Sequence, residues 1–222
     1  GRGYERLNVS DWESEPPVDL RQITFEGFVT FLFDRIPKDP DDPWFYGVEF
    51  DCVLFEKSVF VQYYARLFSD SAGLLARFSP HQLELHFWAI QSNAAFGLGD
   101  LIWDPDVPLA QRVQCVESMY SLFEKLFVQD SLETSVFMWW DSMCYGRKGG
   151  IADSDEILDA MLGTLVRILR LPDEACQMAA LHGFNHLEHS QAAVVVAEFL
   201  ARTDLESHVR EYAEDVMHGK AQ

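Results

Sequence analysis

The residues best spaced for chemistry are the three histidines of His182-Gly-Phe-Asn-His186-Leu-Glu-His189. At i, i+4 and i+7 they fall along one face of any helix that continues through His189, and imidazoles so placed can share a metal ion, zinc first among them. Glu188 adds a carboxylate beside them. This is not the His-Glu-x-x-His pattern of zinc proteases, because no glutamate separates His182 from His186. A plainer reading competes with the metal. Gly183 and Asn185 suit a helix that is ending, an ending would splay His189 away, and histidines in a last turn meet the partial negative charge of its free carbonyls.

A second group is Trp139-Trp140-Asp141 followed by Gly146-Arg147-Lys148-Gly149-Gly150. Arg147 and Lys148 form one of the few basic spots on an acidic chain, and beside Trp139 and Trp140 they suit an acidic or phosphorylated small ligand. The alternative is a connecting loop next to core tryptophans. His81 and His86 lie five apart and face different ways on a helix, which gives them no shared ligand. Gly97-Leu-Gly99-Asp100 precedes no strand-to-helix phosphate motif, and neither a P-loop nor a Gly-x-Ser-x-Gly elbow is present.

Positioning those residues falls to short amphipathic helices. Pro172 suits a first turn, and Cys176, Ala179, Ala180, Phe184 and Leu187 follow at helical spacing. Gln191 to Ala201 carries Ala192, Val195, Val196, Phe199 and Leu200 on one face. Thr203 with Glu206 reads as a capping box for a helix bearing Leu205, Val209, Tyr212, Ala213 and Val216. Upstream, Asp153 with Glu156 reads as another, before Ile157, Leu158, Met161, Leu165 and Leu169. Asp106 with Pro108 opens a helix through Val113, Val116, Met119 and Phe123, and a cap near Ser131 precedes Val136, Phe137 and Trp140. Ser79, Pro80 and Gln82 are a strong start signal. A long helix is expected from about Val48 to Asp70, and a shorter one from Ile23 that stops before Pro37. Short connections make such helices antiparallel neighbours.

On this pattern, and on Ala179-Ala180-Leu181-His182-Gly183-Phe184 before a short loop and another apolar helix, the C-terminal third resembles the HEAT and armadillo-like helical-repeat class. The resemblance implies a curved stack of helix pairs that binds other proteins, and it implies no catalytic residue.

Bulk properties bound the rest. The 222 residues hold 36 acidic and 17 basic side chains, a net charge of −19. The excess runs along the whole chain. Such a surface repels phosphate backbones, so no nucleic-acid partner is expected, and it attracts a basic protein. Equally, it can serve only solubility. No apolar run is long enough for a membrane span, and no basic region followed by an apolar stretch reads as a secretory leader. Cys52, Cys115, Cys144 and Cys176 form no Cys-x-x-Cys pair and read as reduced core thiols of a cytoplasmic protein. Residues 1–22 are polar, include Pro16-Pro17, and read as an arm on the surface. Lys38 to Pro43 reads as a rigid acidic loop.

The expectation is therefore all-α. An arm over residues 1–22 precedes one helical domain over 23–222, with roughly eight to ten helices and the HEAT-like part at about 106–218. The expected function is binding without catalysis, as an adaptor, inhibitor or immunity-type protein that presents acid to a basic partner, with Glu188, Trp139, Trp140, Arg147 and Lys148 as binding residues. A homodimer is compatible with it. The alternatives are a zinc-dependent hydrolase or metal sensor using His182, His186 and His189, and a small-ligand module between helices.

Overall fold

A computed structural model describes residues 18–34, 53–91, 96–147 and 152–221. In chain order its helices are α1 (Phe25–Phe33), α2 (Lys57–Ser69), α3 (Ser71–Leu75), α4 (Pro80–Gln91), α5 (Leu98–Leu101) and α6 (Leu109–Leu122). They continue with α7 (Trp139–Tyr145), α8 (Ser154–Leu169), α9 (Glu174–His186), α10 (Ala192–Leu200) and α11 (Ser207–Met217). A π-helical turn, Phe123–Phe127, prolongs α6. The only strands among the described residues are β1 (Val18–Asp19) and β2 (Val53–Leu54), which pair in parallel. The fold is all-α.

Local chemistry explains several starts. Ser79 and Gln82 form a reciprocal capping box ahead of α4: the Ser79 N–H donates to Gln82 Oε1 at 3.1 Å, and the Gln82 N–H donates to Ser79 Oγ at 3.2 Å. Thr24 Oγ1 caps α1 by accepting from the Gly27 N–H at 3.0 Å. Asp173 Oδ2 caps α9 by accepting from the Cys176 N–H at 2.9 Å. That cap moves the start of α9 to Glu174, so Pro172 stands before the helix instead of in its first turn.

Other starts differ from expectation, each for its own reason. Asp153 precedes α8, but its carboxylate accepts from Arg112 Nη2 at 2.6 Å and makes no cap bond. The Thr203 box does not form. Arg202 forks onto Asp204, with Nε and Nη2 at 3.0 and 2.7 Å from its oxygens, and α11 begins only after Glu206. The long helix expected from Val48 begins at Lys57, because Val53 and Leu54 run extended beside the end of the arm and the Leu20 N–H donates to the Leu54 carbonyl at 2.7 Å. Residues 48–52, the acidic loop, most of the arm, Cys52 and Lys148 lie outside the described residues.

The core is aromatic at one end and aliphatic at the other. Phe28 meets Phe60 and Tyr64 edge-on at 5.0 Å, and Phe87 meets Phe127 and Trp139 in the same way. Such pairs add about 0.5–1.5 kcal/mol each beyond the area they bury. Helix α6 packs between α2 and α8, α8 packs on α9, and α9 also meets α7, α10 and α11. Arg112 on α6 is 1% exposed. Its guanidinium bonds the Val107 and Ile102 carbonyls as well as Asp153, which fixes the α5–α6 connection against the start of α8. No helix among the described residues is long and apolar enough to cross a membrane.

One buried carboxylate sets the segment before α7. Glu84 on α4 is 9% exposed and accepts from the N–H groups of Glu133, Thr134 and Ser135, both hydroxyls of Thr134 and Ser135, and the Trp88 indole. Burial alone raises a carboxyl pKa, but these bonds outweigh it and hold Glu84 below its ordinary value. The α-helical partner expected near Ser131 is a string of turns until Trp139, with Leu132 left-handed at φ 55°.

Candidate metal centre

Helix α9 ends at His186, because Leu187 turns extended at φ −77°, ψ 108°. His182 and His186 are thus one turn apart on the last face of the helix, with ring centres 4.7 Å apart. His189 lies beyond the end. Its Nε2 sits 2.7 Å from Asp159 Oδ1, and its Nδ1 accepts from the Gln191 N–H at 3.0 Å. Both of its nitrogens are occupied away from the other two rings. In its place comes Asp141 from α7, with Oδ1 3.4 Å from His186 Nδ1. One donor atom from each of Asp141, His182 and His186 lies within 4.8 Å of those of the other two.

His182 is 3% exposed and its surroundings are specific. Phe137 stacks on the ring at 4.3 Å, and Nδ1 lies 2.8 Å from the Tyr212 hydroxyl of α11. Its Nε2 is buried and has no hydrogen-bond partner among the described residues. Whichever tautomer is present, one buried polar atom is unmet, and such an atom costs about 1–3 kcal/mol. With the proton on Nδ1, donated to Tyr212, Nε2 carries a lone pair. Burial lowers the His182 pKa, the neighbouring His186 adds to this, and Asp141 opposes it, so the neutral, ligating form is favoured. Burial first, and then Asp215, push Tyr212 up to about 12, so it stays a phenol able to accept that proton.

The donor set is two imidazoles and one carboxylate. It suits a first-row divalent metal, and a hydroxyl holding the far ring nitrogen is the usual second-sphere support. Bond lengths of 2.0–2.1 Å put tetrahedral donors about 3.3 Å apart, so binding draws the three inward. The two outer groups have room to move: the His186 side chain is 36% exposed and that of Asp141 28%.

His186 also lines a cavity of about 130 Å³ with Trp103, Cys144, Arg147, Leu158 and Glu188. Arg147 Nη1 donates to Glu188 Oε2 at 2.9 Å, and that carboxylate is 85% exposed. Burial, then the nearby Asp141, push the Cys144 thiol up to about 12, which leaves it a poor nucleophile. The loop base is packed closely, since a Cβ on Gly146 would run into the Gly99 carbonyl.

Of the residues singled out in the sequence, the structure brings together His182 with His186, and Arg147 with Glu188. Trp139 and Trp140 are 0% exposed and form core instead of a ligand wall; the indole that reaches the cavity is Trp103, held by its N–H to the Met143 carbonyl at 2.7 Å. Asp141 and Tyr212 were not candidate ligands on spacing alone, as both meet the histidines only through packing of α7 and α11 on α9. No protein-family model, curated protein or solved structure gives a significant match to this chain.

Proposed function

We propose that this protein binds a divalent transition metal, zinc by preference, through Asp141, His182 and His186, and acts as a metal sensor or metal-dependent hydrolase. The observation that carries the reading is His182 Nε2, a buried and unmet nitrogen on a ring oriented by Tyr212 and Phe137, next to a second imidazole and a carboxylate. Three protein ligands leave a coordination position for water or a ligand, as in catalytic and sensing sites, whereas structural sites are closed by four. Metal-stripped protein titrated with zinc should take up one equivalent. His182→Ala and Asp141→Asn should abolish or sharply weaken uptake, and His189→Ala should leave it intact. Uptake lost in the His189 variant, or unchanged in the His182 variant, refutes this ligand set.

A second reading rests on charge. Several basic side chains are paired, Lys57 with Asp104 and Asp106, Arg112 with Asp153 and Arg202 with Asp204, and the paired carboxylates Glu188, Asp106 and Asp204 still stay well exposed. With a net charge of −19, such a surface favours a basic protein partner, and a HEAT-like stacking of helix pairs would present it. Capture of a basic protein that is released by salt supports this reading, and binding indifferent to salt opposes it.

A further inference from the structure

The cavity beside His186 has a charge pattern that selects its occupant. Its one cation among the described residues is Arg147, held at a single nitrogen by Glu188 Oε2, and Glu188 is so exposed that water can replace the protein as its partner at little cost. Trp103 and Leu158 supply apolar wall. We propose that this cavity takes a small carboxylate anion, whose carboxylate replaces that of Glu188 on Arg147 and whose short apolar body lies against Trp103 and Leu158. The proposal rests on the metal reading only in placing the ligand's outer end beside the open coordination position at His186.

Three features favour a small monocarboxylate over other anions. A guanidinium offers a planar fork that matches a carboxylate, and Glu188 already demonstrates that fit with one of its nitrogens. A single cation balances one negative charge. On the metal-free protein a phosphate dianion would meet Asp141, Glu188 and the field of a −19 chain with half its charge uncompensated. A volume of about 130 Å³ is well below the roughly 300 Å³ at which drug-sized pockets begin, so the body holds only a few carbon atoms.

The test is a ligand-observed NMR titration of propionate, with inorganic phosphate as comparison, on the whole chain before and after zinc loading, with metal content assayed on each sample. Propionate should bind the metal-free protein, phosphate at least tenfold more weakly, and zinc loading should leave the dependence of propionate binding on Arg147 in place. Arg147→Met should weaken propionate at least tenfold, and Glu188→Gln should strengthen it several-fold, with metal content unchanged in both. Propionate binding that ignores Arg147→Met, tighter binding of phosphate, or no binding at all overturns the carboxylate pocket. Absence of zinc uptake with Arg147-dependent propionate binding intact overturns the metal reading alone.

Discussion

Replacing Glu84 with glutamine tests whether one buried charge holds the segment that stacks on the candidate ligand. The change keeps shape and removes the charge. Every group facing the carboxylate is a donor or a hydroxyl: Oε1 accepts from the Trp88 indole, the Thr134 N–H and hydroxyl and the Ser135 N–H, and Oε2 from the Glu133 and Ser135 N–H groups and the Ser135 hydroxyl. A glutamine NH2 can be accommodated only where the Ser135 hydroxyl turns to accept, and it then faces two backbone N–H groups. Passing from a charged to a neutral acceptor costs about 1 kcal/mol per bond. Thr134 and Glu133 are exposed and can turn to water, so only the two bonds from Ser135, 0% exposed, are counted, which gives about 2 kcal/mol. In a chain of this size that lowers Tm by about 4–8 °C.

The pH dependence carries its own sign. Glu84 has a folded pKa below its ordinary 4.5, so its contribution is complete above about pH 4.5 and is lost as pH falls through the folded value. Urea unfolding of wild type and Glu84→Gln should therefore differ by a constant amount at neutral pH, with the gap closing below pH 4.5 as the wild-type carboxyl protonates. A gap under 0.5 kcal/mol at pH 7, the ordinary scatter of surface changes, refutes the network's role. A gap that stays constant into acid shows that the misplaced NH2 donor, not the lost charge, is what costs stability.

Tyr212→Phe removes the hydroxyl that fixes the His182 ring and leaves its packing, so zinc affinity by calorimetry should fall about 10–100-fold, and the Nδ1 left unpaired should cost about 1–3 kcal/mol of stability. Gly183→Ala places a Cβ 2.7 Å from Trp140 Cβ and 2.9 Å from Leu165 Cδ2, and should destabilise the protein by about 1–3 kcal/mol in urea unfolding. The Leu165 methyl can turn aside, but Trp140 Cβ is fixed to its backbone, so α7 and α9 themselves must part.

What was legible in the sequence follows a physical division. Helix existence was readable from apolar spacing, as in α8 and α10, and so was the Ser79–Gln82 box, because those interactions close within a few residues. The misplaced starts are those where a cap met competition from afar. Asp153 has the right neighbours for a box, but a buried guanidinium from α6 outbids a backbone N–H for a carboxylate. The segment from Ser131 to Met138 likewise has helical spacing, but Leu132 sits left-handed at φ 55°, and the N–H groups of Glu133, Thr134 and Ser135 are gathered by Glu84 about fifty residues earlier. Nothing in the local sequence carries that information.

The site divides in the same way, and one contact explains the division. His182 and His186 share a face by spacing alone, and Gly183 with Asn185 signalled the helix end that sends His189 to Asp159. Asp141 was invisible as a ligand because it depends on how near α7 comes to α9. At Gly183 the two helices lie so near that a Cβ there would meet Trp140. The residue after Trp140 is Asp141 and the residue before Gly183 is His182, so the two flank the point at which the backbones meet. The small residue that reads as a helix breaker thus also sets the spacing between a carboxylate and an imidazole. It follows that Gly183→Ala should weaken zinc uptake by more than its stability cost predicts, because it widens the one gap that the donor set spans.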